Sequence, residues 1–285
     1  MSPIHVERAL AKLTRTLRIT GRRDDGYHLL ESEMVCLDFG DELEIEAIDH
    51  DDQGSRLEVV DAISWIGTRA WLGDGRSADA AVPHVPTGSD NLVMRALELA
   101  DRRARVRLVK RIPPGAGLGG GSADAAAVLR WAGFTDLGRA SRLGGDVPFC
   151  IRGGRALVTG IGEHLVPLAS DDATYLCCTP SFGVATAVVY RAFDELNGDA
   201  ARDPGGLNDL ETAALLVEPR LARVRDVLAE TSGRRPTLAG SGSTWFVACR
   251  RHEGADLAAA LSEALEAEGG RATVNLGRTV GAFSM

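Results

Sequence analysis

Between residues 104 and 112 apolar and charged side chains alternate: Val106 and Leu108 share one side, Arg105 and Arg107 the other. A period of two predicts a strand. The alternation stops at residues 113–121, PPGAGLGGG, where five of the seven residues from Gly115 to Gly121 are glycine. From Ser122 the sequence turns alanine-rich, SADAAAVL, which favours a helix. Strand, glycine-rich loop and helix therefore follow one another directly.

The same patterns organise the rest of the chain. Residues 9–20 predict a strand with Leu13, Leu17 and Ile19 on one side, interrupted by Arg15, and Lys12, Thr14, Thr16 and Arg18 on the other. Asp25-Gly26 signals a hairpin. Residues 34–48 read as strand, turn at Gly40-Asp41, strand; residues 57–65 read as a further strand. Residues 49–55 form an acidic loop, and residues 67–89 show no clear period. A helix over 89–103 has Ser89 or Asp90 as its cap and Leu92, Ala96, Leu99 and Ala100 on one face. Strand 155–159 and a turn at 160–163 close the first half. Beyond it come a buried-type strand at 173–180, helices at 190–196, 208–215 and 219–231, and a glycine turn with a strand at 238–249. An amphipathic helix at 255–267 and a last strand at 272–276 follow. This half approximates a ferredoxin-like layer, so the fold class is α+β, with domains at 1–160 and 161–285.

Composition narrows the function. The chain has 285 residues, enough for one large domain or two ordinary ones. Its net charge of −8 argues against a nucleic-acid or anionic-membrane surface. Any anion site must be local. Five cysteines with no C-x-x-C pair suggest free thiols in a reducing compartment. The six histidines lack metal-ligand spacing. No signal peptide and no apolar run of about 20 residues is visible, so a cytoplasmic protein is expected.

Glycine lets the backbone close on an anion, and the helix behind adds free N–H groups and its positive dipole end. The tract thus reads as a phosphate cradle. Ser122 can cap the helix or touch a phosphate or a metal ion. No Gly-Lys-Ser/Thr ends the loop, and no strand with a terminal acid lies about 20 residues on, so neither the Walker nor the dinucleotide pattern applies.

PPGAGLGGGSADAA resembles the central motif of the GHMP kinases, small-molecule kinases named for galactose, homoserine, mevalonate and phosphomevalonate. TGRRDDGYHLLES, SDNLVMRA, GGDVPF and LAGSGSTWF extend the resemblance over nearly the whole chain. They point to the branch acting on a cytidine-diphosphate-linked methylerythritol of the non-mevalonate isoprenoid route. The resemblance implies a ribosomal-protein-S5-like N-terminal domain and a ferredoxin-like C-terminal domain, with the active site between them. It implies ATP and Mg²⁺ as cofactors, a small-molecule partner, and a monomer or weak homodimer.

The site residues it implies are these. Lys12 and Asp146 are catalytic. Asn91, Lys110, Pro113, Pro114, Gly115, Ala116, Gly117, Leu118, Gly119, Gly120, Gly121, Ser122 and Ala123 bind the nucleotide, Ser122 also touching the metal. Thr14, Tyr27, His28, Thr186, Tyr190, Gly240 and Ser241 bind the substrate, with Tyr27, His28 and Tyr190 around the cytosine. Each named side chain also has an ordinary role: Lys12 a solvated strand lysine, Asn91 and Asp146 helix caps, Tyr27, His28 and Tyr190 packing residues. Two features depart from the family. Thr14 replaces its usual asparagine, and the segment before Asp146 is short by about a helix. The alternatives are a GHMP kinase for another alcohol and an inactive nucleotide-binding module; Gly26-Tyr27-His28 argues against the first and the Lys12–Asp146 pair against the second.

Overall fold

The computed structural model describes residues 3–48, 54–67, 85–196, 202–203 and 205–283. Most of the acidic loop at 49–55, namely 49–53, and most of the aperiodic stretch at 67–89, namely 68–84, lie outside these residues.

Two long strands, β1 (Ile4–Arg22) and β2 (His28–Ala47), form an antiparallel hairpin around Asp25-Gly26. β2 is the hub of the first sheet. It also pairs β4 (Ala104–Lys110) and β5 (Arg155–Gly160), while β3 (Arg56–Asp61) lies parallel to β4. Helices α1 (Leu92–Leu99), α2 (Gly120–Trp131), α3 (Leu137–Ala140) and α4 (Val147–Arg152) complete this layer. Residues Ala123 to Leu129 of α2 are all buried, which makes it the central helix. Its alanines let it pack close to β1 and β2.

A short strand β6 (His164–Pro167) pairs β5. A border at residue 160 would cut this hairpin, and the change of sheet falls instead between Pro167 and the next strand, β7 (Thr174–Pro180). The second sheet runs β10 (Ala272–Val280), β7, β9 (Trp245–Cys249), β8 (Thr237–Leu238), all antiparallel. By chain order that is 4-1-3-2, the ferredoxin-like arrangement. Helices α5 (Thr186–Glu195), α6 (Glu211–Val217), α7 (Arg220–Ser232) and α8 (Gly254–Glu268) build its core around buried Trp245. The far end of β10 crosses back to pair β2 at Thr279–Leu37 and Val280–Cys36. A third apolar cluster, including Leu13, Leu37, Leu118 and Phe246, fills the space between the layers.

Two further sequence expectations change. Gly40-Asp41 is no turn, since β2 runs straight through it. Gly40 is there because β1 bulges against it: a β-carbon would lie 2.2 Å from the Ala9 carbonyl oxygen. The cap of α1 is Asn91, whose Oδ1 accepts from Val93 N at 2.8 Å, and not Ser89 or Asp90.

Arg15, the residue that broke the apolar side of β1, ties the layers together. Its guanidinium donates to Glu33 on β2 at 2.8 Å and to Asp171, in the link between sheets, at 2.6 and 3.0 Å. Those hydrogen bonds hold the Asp171 carboxyl below the usual range. Burial pushes Glu33 up, but bonds from Arg15 and Arg155 outweigh it and leave it lowered too. Carboxylates with depressed folded pKa values add stability above their unfolded pKa and lose it on acidification. Arg15→Met should therefore lower the denaturation midpoint at pH 7, with the deficit closing below about pH 4. Urea unfolding of both proteins across pH 3–7 checks this.

Candidate active site

The glycine-rich loop leaves β4, turns over the layer junction and enters α2 at Gly119, whose φ of 68° starts the helix. Ser122 sits in the first turn, so it does not cap the helix. Gly117, with φ 78°, lies against the turn that precedes β9. A β-carbon there would be 2.2 Å from Ala239 O and 2.8 Å from Gly242 O. Gly119 passes under the stem of Lys12: a β-carbon on it would lie 2.6 Å from Lys12 Cγ. The loop is thus glycine because the backbone of that turn and a lysine stem cross it. Backbone bonds from Lys12 N to Leu118 O and from Thr244 N to Ala116 O fix it from both layers. Gly117→Ala should cost about 1–2 kcal/mol in backbone strain alone. We expect a lowered thermal midpoint with a weakened Kd for ATP, both read in one thermal-shift titration.

A cleft of about 460 Å³ opens over the loop. Its walls include the loop glycines, Lys12, Thr14, Asn91, Ser122, Asp146, Thr186, Tyr190, Gly240 and Ser241. Lys12 Nζ lies 3.1 Å from Asp146 Oδ2 and 3.2 Å from Thr14 Oγ1, and Lys12 is only 5% exposed. The ordinary reading of Lys12 as a solvated lysine fails on that burial. Asp146 occupies the N-cap position of α4 but makes no capping bond. Its carboxylate is free to face Lys12 and the cleft. Thr14 Oγ1 accepts from the Lys12 ammonium and so helps hold it in place.

Thr186 Oγ1 and Ser241 Oγ are 2.9 Å apart, joining α5 to the second glycine turn. Asn208 holds that turn from below, its Nδ2 donating to Leu238 O and Gly240 O. A second cavity of about 630 Å³ adjoins the first through Leu30, Thr186 and Tyr190, and holds Tyr27 and His28. Tyr27 is 62% exposed, while the His28 ring packs on Tyr190 at 4.9 Å between centroids. Burial, and behind it the charge of Asp146, pushes the Tyr190 phenol up to about 12.

Two implied nucleotide residues do not face the cleft. Leu118 is fully buried in the junction and its carbonyl is taken by Lys12 N. Ala123 is buried in α2 and its N–H bonds to Gly119 O. Lys110 is also not a free cation. Its Nζ donates to Asp41 and, at 2.8 Å, to Asp124 Oδ2. Asp41 accepts in turn from Arg111 N and Ile112 N. Burial pushes the Asp124 carboxyl up to about 7 even with Lys110 beside it, and the two carboxylates keep the Lys110 ammonium charged. Sequence reasoning missed Asp41 and Asp124. The signal was a lone carboxylate on an otherwise buried helix and another after a strand glycine.

Among the described residues no three His, Cys, Asp or Glu side chains converge as a metal site. Mg²⁺ bound with ATP takes most of its ligands from phosphate oxygens and water. Ser122, half-buried on the cleft wall in the first turn of α2, has the donor such a cation takes.

The family description "GHMP kinases N terminal domain" matches residues 91–154. A 4-diphosphocytidyl-2-C-methyl-D-erythritol kinase of Paracoccus denitrificans is 35% identical over 261 residues, covering 86% of this chain and 87% of its own. One of Cereibacter sphaeroides is 35% identical over 285 residues, covering 91% and 94%. A crystal structure of 4-(cytidine 5'-diphospho)-2C-methyl-D-erythritol kinase superposes with a TM-score of 0.67 at 31% identity, over 97% of this chain and all of that one.

Proposed function

The chain belongs to the 4-diphosphocytidyl-2-C-methyl-D-erythritol kinases of the GHMP superfamily, and from that premise we propose how it acts on its substrate. It is an ATP-dependent kinase of a small-molecule alcohol. The acceptor is the 2-hydroxyl of 4-diphosphocytidyl-2-C-methyl-D-erythritol. The observation that carries this reading is one continuous cleft: the loop glycines, the Lys12–Asp146 pair and Tyr190 all border it.

Phosphoryl transfer is catalysed mainly by positioning and charge neutralisation. The loop from Gly115 to Ser122 cradles the triphosphate on its backbone and the α2 dipole. Asn91 and the stem of Lys110 border the base end of the nucleotide. The acceptor oxygen attacks the γ-phosphorus, the bond to the β–γ bridging oxygen breaks, and ADP leaves. Asp146 takes the hydroxyl proton. Lys12, held by Thr14, orients that carboxylate and meets the charge growing on the transferred group. Ser122 would help hold Mg²⁺ beside the phosphates, and the cation would supply neutralisation of their charge. Tyr27 and Tyr190 offer faces to the cytosine and His28 a hydrogen bond to its edge. Thr186, Gly240 and Ser241 line the path between base and acceptor.

A coupled ADP-release assay with the cytidyl substrate and Mg-ATP tests this. The expected result is turnover well above the blank, with mevalonate and homoserine at blank level. No turnover of the cytidyl compound would reject the substrate, and turnover of another alcohol instead would reassign it.

A further inference from the structure

We propose that Asp194 is a positioning residue that fixes the tautomer of His28 and so makes the second cavity select cytosine over uracil. The inference rests on reading that cavity as the cytidine site. His28 opens β2, and its Nε2 lies 2.6 Å from Asp194 Oδ1 on α5. An ionised carboxylate only accepts, so Nε2 carries the hydrogen. In the neutral ring this leaves Nδ1 with a lone pair.

The ring has little freedom to present anything else. Its side chain is 9% exposed, Tyr190 packs at 4.9 Å with a 31° tilt, and Phe193 meets it edge-on at 6.2 Å. Asp194 is itself braced. Its Oδ2 is 3.3 Å from Arg22 Nη1, and Arg22 Nε donates to Gly26 O at 3.2 Å. A polar chain therefore runs from the β1–β2 turn through Arg22 and Asp194 to His28. Tyr190 and Asp194 are four residues apart on one helix, so the packing ring and the orienting carboxylate share a face. Asp194 joins His28, from the first half of the chain, to that face.

The two pyrimidines differ where this matters. Cytosine offers an N4 amino donor, whereas the oxygen at the same place on the thymine or uracil ring is an acceptor. A lone pair on Nδ1 receives the first and repels the second. With the opposite tautomer, Nδ1–H would prefer uracil. The discrimination belongs to the carboxylate behind the histidine as much as to the histidine.

The test is calorimetric titration of CDP and UDP into the full chain and into Asp194→Ala, with ¹⁵N histidine spectra of both. The parent should prefer CDP and show an Nε2–H imidazole at His28. In Asp194→Ala, CDP should weaken about tenfold while UDP stays within about twofold, and the His28 signal should move toward a tautomer mixture. Retained UDP binding also shows that the variant is folded. Equal loss of both nucleotides, or an unchanged preference, would overturn the proposal and leave the cytidine reading standing. A parent that binds CDP no better than UDP would remove the cytidine reading itself, and this inference with it.

Discussion

Asp146→Asn is expected to lower turnover by about 10²–10⁴-fold, the range a general base supplies. The substitution is nearly isosteric and removes the proton acceptor. It should cost little stability, because the side chain makes no capping bond in α4 and its pair with Lys12 is about a third exposed on the Asp146 side. The Kd for ATP should also hold, since the proposed phosphate site is the loop backbone and not this carboxylate. Steady-state ADP release at saturating Mg-ATP, beside a nucleotide titration, separates the two quantities. Turnover within a few-fold of the parent would mean that Asp146 only orients the alcohol.

Lys110→Met is expected to damage folding and not chemistry. Lys110 and its two carboxylate partners are each at least nine-tenths buried, and all three lie beneath the loop and the start of α2. Removing one partner of a buried pair typically costs about 3–5 kcal/mol, because the remaining charge has no water and no counterion. Two carboxylates would be stranded here, so the variant should be driven to take up protons. A folded acid with a raised pKa binds more protons than its unfolded form, and stability then falls as pH rises. The deficit should be largest near pH 8 and smaller near pH 5. Urea midpoints at the two pH values decide it, and a deficit independent of pH would show that the loss is one of packing.

The glycine-rich loop between strand and helix was legible because glycine, strand and helix signals are local and sit side by side. That Lys12 and Asp146 meet at the cleft was anticipated only through a family resemblance. Periodicity puts Lys12 on the polar side of a strand, and nothing in it says that a second layer covers that side. The reading of Gly40-Asp41 as a turn failed for a related reason. A glycine admitted for a close approach of two strands looks, in one dimension, like a glycine admitted for a bend. Asp41 and Asp124 reach each other through Lys110 across 69 and 14 residues, so no window along the chain contains the cluster. Asp194 is more distant still, 166 residues from His28, and its helix face is shared with ordinary packing residues. The C-terminal layer was anticipated in outline, α6 included as the helix at 208–215, but the two-residue β8 escaped because it is too short for a period to show.

The crossing of β10 from one sheet to the other has a mechanical consequence. Its last residues are stitched to β2, and Phe283 N reaches Arg152 O at the end of the helix that Asp146 begins. A jaw-like swing of the two halves would have to tear that seam. The frame is therefore preset before any ligand arrives, and whatever gating the enzyme uses belongs to its turns and side chains. Scattering profiles of the free and nucleotide-saturated enzyme should accordingly coincide.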